Sequence, residues 1–275
     1  MAALRLAFRL PLLMLVLSVT ALVALLFLLA EGVTRRRYDR TRLAQLCFVC
    51  CYRCLGLRIR QTGPTPRSPA LLVSNHISWS DIPVLGGLTQ TRFLSKAEVA
   101  RWPLVGWLAR QAGTLFIRRG GGEAAQRRND IRETLEAGQS VLIFPEGTTS
   151  AGLTVLPFFP RLIGAATAAG APIVPVSIAY VREDDPCHVA PFIGDDEFTH
   201  HLIRMLAAPA PEVRVTWHQP VAPLPGESAR DLSNRVREVI VEGLRRSHQE
   251  AGVRGAPAAT SSSVASRAEM ISRSK

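Results

Sequence analysis

Lysine is nearly missing from this chain: of 33 basic residues only Lys96 and Lys275 are lysines, and arginine carries the rest of the positive charge. Aromatic residues make up 6% of the 275 positions and stand in no nucleic-acid recognition motif, so the net charge of +11 and pI near 10.6 point away from DNA or RNA and toward membrane lipid as the anion. Cysteine is scarce outside one cluster, Cys47, Cys50, Cys51 and Cys54. On a continuous helix these thiols form one stripe, whereas a tetrahedral zinc needs ligands converging from several directions, so packing as small hydrophobes is the better reading and no metal site is expected. Cys187 has no evident partner, and a cytoplasmic location argues against disulfides. No Gly-x-Ser-x-Gly elbow occurs, which weighs against a serine hydrolase. Gly120-Gly121-Gly122 meets neither spacing of the known phosphate loops.

What is present begins with an uncharged run from Leu10 to Ala30, long enough as a helix to cross about 30 Å of hydrocarbon. It is too long for the apolar region of a signal peptide, and no small-x-small cleavage site follows. Arg35, Arg36, Arg37, Arg40 and Arg42 downstream outnumber Arg5 and Arg9 upstream, which places the body on the cytoplasmic side of the inner membrane. The segment either spans the bilayer or lies in its interface as half of a helical hairpin. From Arg37 to Leu57, apolar residues at steps of three and four predict an amphipathic helix.

Beyond Gly56, short apolar runs alternate with helical stretches. Strands are expected at Leu57–Arg60, Ala70–Ser74, Arg92–Ser95, Thr114–Arg118, Ser140–Phe144, Ile173–Tyr180 and Val213–Trp217. Helices are expected at Asp81–Leu88, Lys96–Ala112, Glu123–Ala137, Arg161–Ala169, Glu197–Leu206 and Ala229–His248. The class is α/β, a mixed, largely parallel sheet flanked by helices and preceded by an N-terminal membrane-binding helical segment. Three units follow: anchor and amphipathic helix over residues 1–55, a catalytic domain over 56–250, and a disordered Ala-, Ser- and Gly-rich tail over 251–275.

Chemistry concentrates at strand ends. Asn75-His76-Ile77-Ser78-Trp79-Ser80-Asp81 follows the buried strand Leu71-Leu72-Val73, at the edge where open α/β sheets bind ligands. Residues five apart on a helix lie about 140° apart, so His76 and Asp81 meet only if the chain turns between them, and Ser78 and Ser80 are the candidate caps for that turn. Asp81 would then fix one imidazole nitrogen and leave the other free to take a proton; the bland alternative is a histidine and an aspartate that merely cap a helix. Gly113-Thr114-Leu115-Phe116-Ile117-Arg118-Arg119 brings two arginines to another strand end, suited to gripping phosphate or to solvating a surface. Phe144-Pro145-Glu146-Gly147-Thr148-Thr149-Ser150 ends a third strand with a carboxylate, a glycine and three hydroxyls. Parallel strand ends converge, so all three segments, with Lys96, can share one cleft.

In order and spacing these segments, with Val174-Pro175-Val176, resemble the four motifs of the glycerolipid acyltransferase family typified by bacterial 1-acylglycerol-3-phosphate acyltransferases, over about residues 56–220. The resemblance implies His76 as general base, Asp81 as its orienting acid, and substrate contacts from Lys96, Arg118, Arg119, Glu146, Gly147, Thr148 and Thr149. It implies transfer of an acyl group from acyl-CoA or acyl carrier protein to a lysolipid hydroxyl, with no covalent enzyme intermediate and no cofactor beyond the thioester. Backbone amides near Gly147 or at a helix start are the candidate oxyanion donors. Two positions depart from the family pattern: Arg118 stands where aspartate is common, and Thr149 where arginine is common. The expected acceptor is 1-acylglycerol-3-phosphate, giving phosphatidic acid. The alternative is lyso-ornithine lipid, because the Thr-Thr-Ser form is similar to that of enzymes whose acceptor is an acylated amino acid. A tethered thioesterase or lipid-binding protein is the remote alternative.

Overall fold

A computed structural model describes residues 1–117, 123–182, 185–186 and 189–253. Two helices lead, α1 (Ala2–Thr34) and α2 (Thr41–Cys54), and the body follows as β1 (Arg58–Thr62), β2 (Leu71–Ser74), α3 (Asp81–Leu88), β3 (Arg92–Lys96), α4 (Val105–Gln111), β4 (Leu115–Ile117), α5 (Glu123–Glu136), β5 (Val141–Ile143), α6 (Gly164–Ala168), β6 (Ile173–Arg182), β7 (Asp185–Pro186), α7 (Phe198–Ala207), β8 (Glu212–Trp217) and α8 (Ala229–Glu250). The strands form one sheet in the order β1-β8-β6-β2-β5-β3-β4, with β7 beside β6. Pairings around β2, β5, β3 and β4 are parallel, as is β1 with β8, while β6 runs antiparallel to β7 and β8. This is the expected mixed, largely parallel sheet.

Strand pleating explains why the central strands read as continuous apolar runs. Leu72, Leu142, Val174, Val176 and Ile178 point to one face, where α1, α2, α3 and α7 pack. Leu71, Val73, Val141, Ile143 and Ile173 point to the other, covered by α5, α6 and α8. Both faces are buried, so period-two alternation of polarity is lost in β2 and β5 and kept in β8, where buried and half-buried residues alternate.

The expected helix over Lys96–Ala112 is corrected. Lys96 ends β3, a single 3₁₀ turn covers Val99–Arg101, and α4 begins only at Val105. Pro103 pushes Trp102 to an extended conformation (ψ 129°), and Leu104 then takes φ +56°, which no continuous helix accepts. Of the expected tail, residues 254–275 lie outside the described residues. Ala251 to Val253 instead close α8, with the Val253 amide donating to the His248 carbonyl at 3.0 Å.

Helix α1 is joined to the body at both ends. Near its start, Arg9 donates to the carbonyls of Leu206 and Ala208 at 3.1 and 2.9 Å, at the C-terminus of α7 where partial negative charge gathers. Near its end, Glu31 accepts from Arg40, whose guanidinium also reaches Gln111 of α4. One apolar face of the helix (Leu6, Leu10, Leu13, Val16, Leu17) packs on the core. Another, comprising Leu4, Phe8, Leu12, Leu15, Val19, Leu22, Leu26, Leu29 and Val33, is an exposed stripe with steps of three and four.

Candidate active site

The site grows from the end of β2. After Ser74 the chain leaves the sheet, and Asn75 fastens the exit by bonding both the amide and the carbonyl of Ile178 on neighbouring β6 at 2.9 Å. The chain then turns so that His76 Nδ1 and Asp81 Oδ2 lie 2.8 Å apart. Ser80 makes no side-chain cap; the turn is closed by Asp81 itself, whose Oδ2 also accepts the amides of Ile77 and Ser78 at 2.7 and 3.0 Å. Its Oδ1 accepts the Tyr180 hydroxyl at 2.8 Å, and Tyr180 in turn accepts from Ser80 at 2.8 Å. Asp81 is fully buried, and this four-donor shell satisfies both of its oxygens there.

With Nδ1 committed to Asp81, His76 Nε2 has no hydrogen-bond partner among the described residues, and the side chain stays 17% exposed. The imidazole stacks on Phe144 with ring centroids 4.0 Å apart and planes 13° from parallel. A ring held by a carboxylate at one nitrogen and an aromatic on one face has little rotational freedom.

The third motif meets the first because β5 lies directly beside β2. Glu146 turns inward, only 4% exposed. Its Oε1 accepts the His76 amide at 2.7 Å and its Oε2 accepts the Leu156 amide at 2.8 Å, so the carboxylate clips the histidine's backbone to the loop after the motif. Burial pushes the Glu146 carboxyl up to about 7, the two amide bonds opposing that rise. Ser150 adds a second tie, its amide reaching the His76 carbonyl at 2.8 Å. Gly147 and Thr148 are exposed at the turn, and the Gly147 amide donates to the Phe144 carbonyl at 3.1 Å. Thr149 donates its hydroxyl to the Phe192 carbonyl, while the Phe192 amide donates to the Ile77 carbonyl at 3.0 Å. The 190–193 segment thus lies across both motifs.

An aromatic wall borders the same loop. Trp79 donates its indole N–H to His201 Nδ1 at 2.9 Å, and His201 Nε2 donates to the Pro191 carbonyl at 3.1 Å, a pairing that requires neutral imidazole. Phe198 bridges Trp79 and Trp102 at centroid distances of 5.2 and 4.8 Å.

Of the residues expected at the site, His76, Asp81, Glu146, Gly147, Thr148 and Thr149 gather at adjacent strand ends. Lys96 is exposed at the same C-terminal edge, at the end of β3. Arg118 and Arg119 lie outside the described residues, as does Cys187. Tyr180, Phe144, Ser150 and His201 were not anticipated. Of these Phe144 and Ser150 carried a signal, as the first and last residues of the third motif; Tyr180 is about a hundred positions from Asp81, and only strand order brings them together.

Comparison with known proteins agrees with this geometry. A family described as Acyltransferase matches residues 56–179. A lyso-ornithine lipid O-acyltransferase from Pseudomonas aeruginosa is 43% identical over 206 residues, covering 75% of this chain and 78% of that protein. A 1-acyl-sn-glycerol-3-phosphate acyltransferase from Neisseria meningitidis is 30% identical, covering 68% and 73%. In fold, the chain is similar to the crystal structure of a 1-acyl-sn-glycerophosphate acyltransferase from Thermotoga maritima, with TM-score 0.63, 24% identity, and coverage of 90% of this chain and 97% of that one.

Proposed function

The chain belongs to the acyltransferase family, as an O-acyltransferase of the lysolipid type, and from that premise we propose that it acylates the hydroxyl of lyso-ornithine lipid, using acyl carrier protein or coenzyme A as the thioester carrier, at the membrane face. His76 Nε2 takes the proton of the acceptor hydroxyl as the oxygen attacks the thioester carbonyl. The carbon–sulfur bond then breaks, the ester carbon–oxygen bond remains, and the imidazolium returns its proton to the departing thiolate. Asp81 holds the imidazole in the tautomer that keeps Nε2 unprotonated at the start and stabilises the imidazolium that forms. Lys96, Arg118 and Arg119 serve the anionic parts of donor or acceptor, and the exposed turn at Gly147 and Thr148 borders the acceptor.

The choice of acceptor reverses the order expected from sequence motifs, which put 1-acylglycerol-3-phosphate first. The observation that carries it is the 43% identity to a protein named for lyso-ornithine lipid, against 30% to one named for the glycerophosphate acceptor. Thr149 supports it: its hydroxyl is occupied by the Phe192 carbonyl and offers no bidentate cation for a phosphate monoester. The test gives purified protein acyl-CoA or acyl carrier protein donors with lyso-ornithine lipid and with lysophosphatidic acid, and identifies products by mass spectrometry. Acylated ornithine lipid is the expected main product, and preferential formation of phosphatidic acid would overturn the assignment. His76→Ala is expected to lower acyl transfer by at least about a thousandfold while keeping the fold, since the base is lost.

A further inference from the structure

On the edge of the sheet opposite His76, the N-terminal ends of β2, β3 and β5 frame a cavity of about 400 Å³. Its wall includes Asp39, Arg67, Ser68, Gln90, Arg92 and Ser140, a polar lining with little apolar surface to hold a lipid tail or a steroid-like ligand. Two of these residues are cations without a carboxylate partner among the described residues. Arg92, half-buried at the start of β3, has its Nε shielded from solvent and no acceptor for it among the described residues. Arg67 is exposed and makes no ion pair among the described residues. The one acid on the wall, Asp39, is already engaged: its two oxygens accept the amide and hydroxyl of Thr41 at 2.9 and 3.0 Å.

The position of Arg92 is protected by backbone chemistry. Gly113 has φ +74°, and a Cβ placed there would come within 3.0 Å of the Arg92 Cζ and Nε. A glycine at the head of the second motif therefore keeps open the space in which a guanidinium faces away from the reaction. A partly desolvated guanidinium without acceptors is unfavourable alone and becomes favourable when a fork of oxygens supplies them.

We propose that this cavity binds a phosphate ester, borne by a phospholipid headgroup or by a soluble metabolite, through Arg67 and Arg92, separately from the site of acyl transfer. Ser68, Ser140 and Gln90 supply neutral hydrogen-bonding groups for the ester's remaining oxygens or hydroxyls.

The experiment uses the full chain in detergent, as wild type, Arg67→Gln, Arg67→Gln/Arg92→Gln, and a charge control, Arg35→Gln/Arg36→Gln. Two probes are titrated: glycerol 3-phosphate by calorimetry, and phosphatidylcholine vesicles with and without phosphatidylglycerol by flotation. Loss of both arginines is expected to weaken binding of glycerol 3-phosphate, or the gain from phosphatidylglycerol, by about tenfold or more, each guanidinium contributing charge-assisted bonds. An effect on glycerol 3-phosphate identifies a soluble ester. An effect confined to phosphatidylglycerol identifies a lipid headgroup. Unchanged binding of both probes by the double variant, or an equal loss in the charge control, overturns the proposal. Because Arg67 is exposed, Arg67→Gln keeps the fold and decides the matter alone, by a loss of about threefold or more, should the double variant not fold.

Discussion

Asp81 is the most heavily bonded side chain of the site, receiving His76, two amides and the Tyr180 hydroxyl. Tyr180→Phe removes one donor from a buried carboxylate while leaving the ring in place, and is expected to cost about 1–3 kcal/mol of stability. It should also lower kcat more than it raises KM, because the loss falls on the group that orients the base; a fall confined to stability would make Tyr180 structural only. Glu146 is the second such case. Glu146→Gln turns one amide-accepting oxygen into a donor facing an N–H, so a destabilisation of similar size and a fall in kcat are expected in chemical unfolding and single-turnover assays. Little of this was legible in sequence. Spacing located His76 and Asp81 and suggested that they meet, but the partners that hold them come from β5 and β6, and which strands adjoin β2 is a matter of sheet order.

At the scale of elements, α1 is the most instructive. A helix apolar all round reads as a membrane span, and this one is long enough, about 50 Å over its 33 residues. Its two ends are nonetheless fastened to the same body through Arg9 on α7 and through Glu31 and Arg40 toward α4. It is apolar on all sides because one face packs on protein while the other is left for lipid. Of the two topologies the sequence left open, these two ties predict the one that lies along the interface. Leu15→Glu/Leu22→Glu changes only the exposed stripe, where these residues are 59% and 57% accessible, and should abolish vesicle flotation with little change in the unfolding midpoint. Leu13→Ala, in the core at 7%, should do the reverse, losing about 2–4 kcal/mol with flotation retained. Flotation surviving the double glutamate would refute the interfacial face. Elements with a strong period or a buried run, such as α3, β2 and α8, were legible to within a few residues. The stretch after Lys96 was not, because its apolar spacing continues across Pro103 while the backbone does not.

For the whole molecule, pH acts through two sets of buried groups with opposite sign. His201, His218 and His248 are each pushed below the usual imidazole range, mainly by burial, with Arg204, Arg246 and Arg214 respectively adding repulsion. Their neutral forms belong to the folded state, so the stability they contribute is present above the unfolded value near 6.5 and is lost as pH falls through the depressed folded values. Glu146 runs the other way: its raised carboxyl favours the protonated form, contributing stability below 4.5 that is lost as pH rises through about 7. From the depressed histidine values up to 6.5 the two oppose each other, three histidines raising stability with pH against one carboxyl lowering it. Above 6.5 the histidine contribution levels off while that of Glu146 continues to fall through about 7, and the curve turns down. Urea midpoints across this range should therefore pass through a shallow maximum near pH 6.5. His201→Gln, which keeps a donor and an acceptor between Trp79 and Pro191 without titrating, should flatten the acidic limb by up to about 1.4 kcal/mol per pH unit where that histidine titrates and leave the decline toward 7 intact. An acidic limb as steep in His201→Gln as in wild type would show that the Trp79–His201 contact is not a site where protons and folding are coupled.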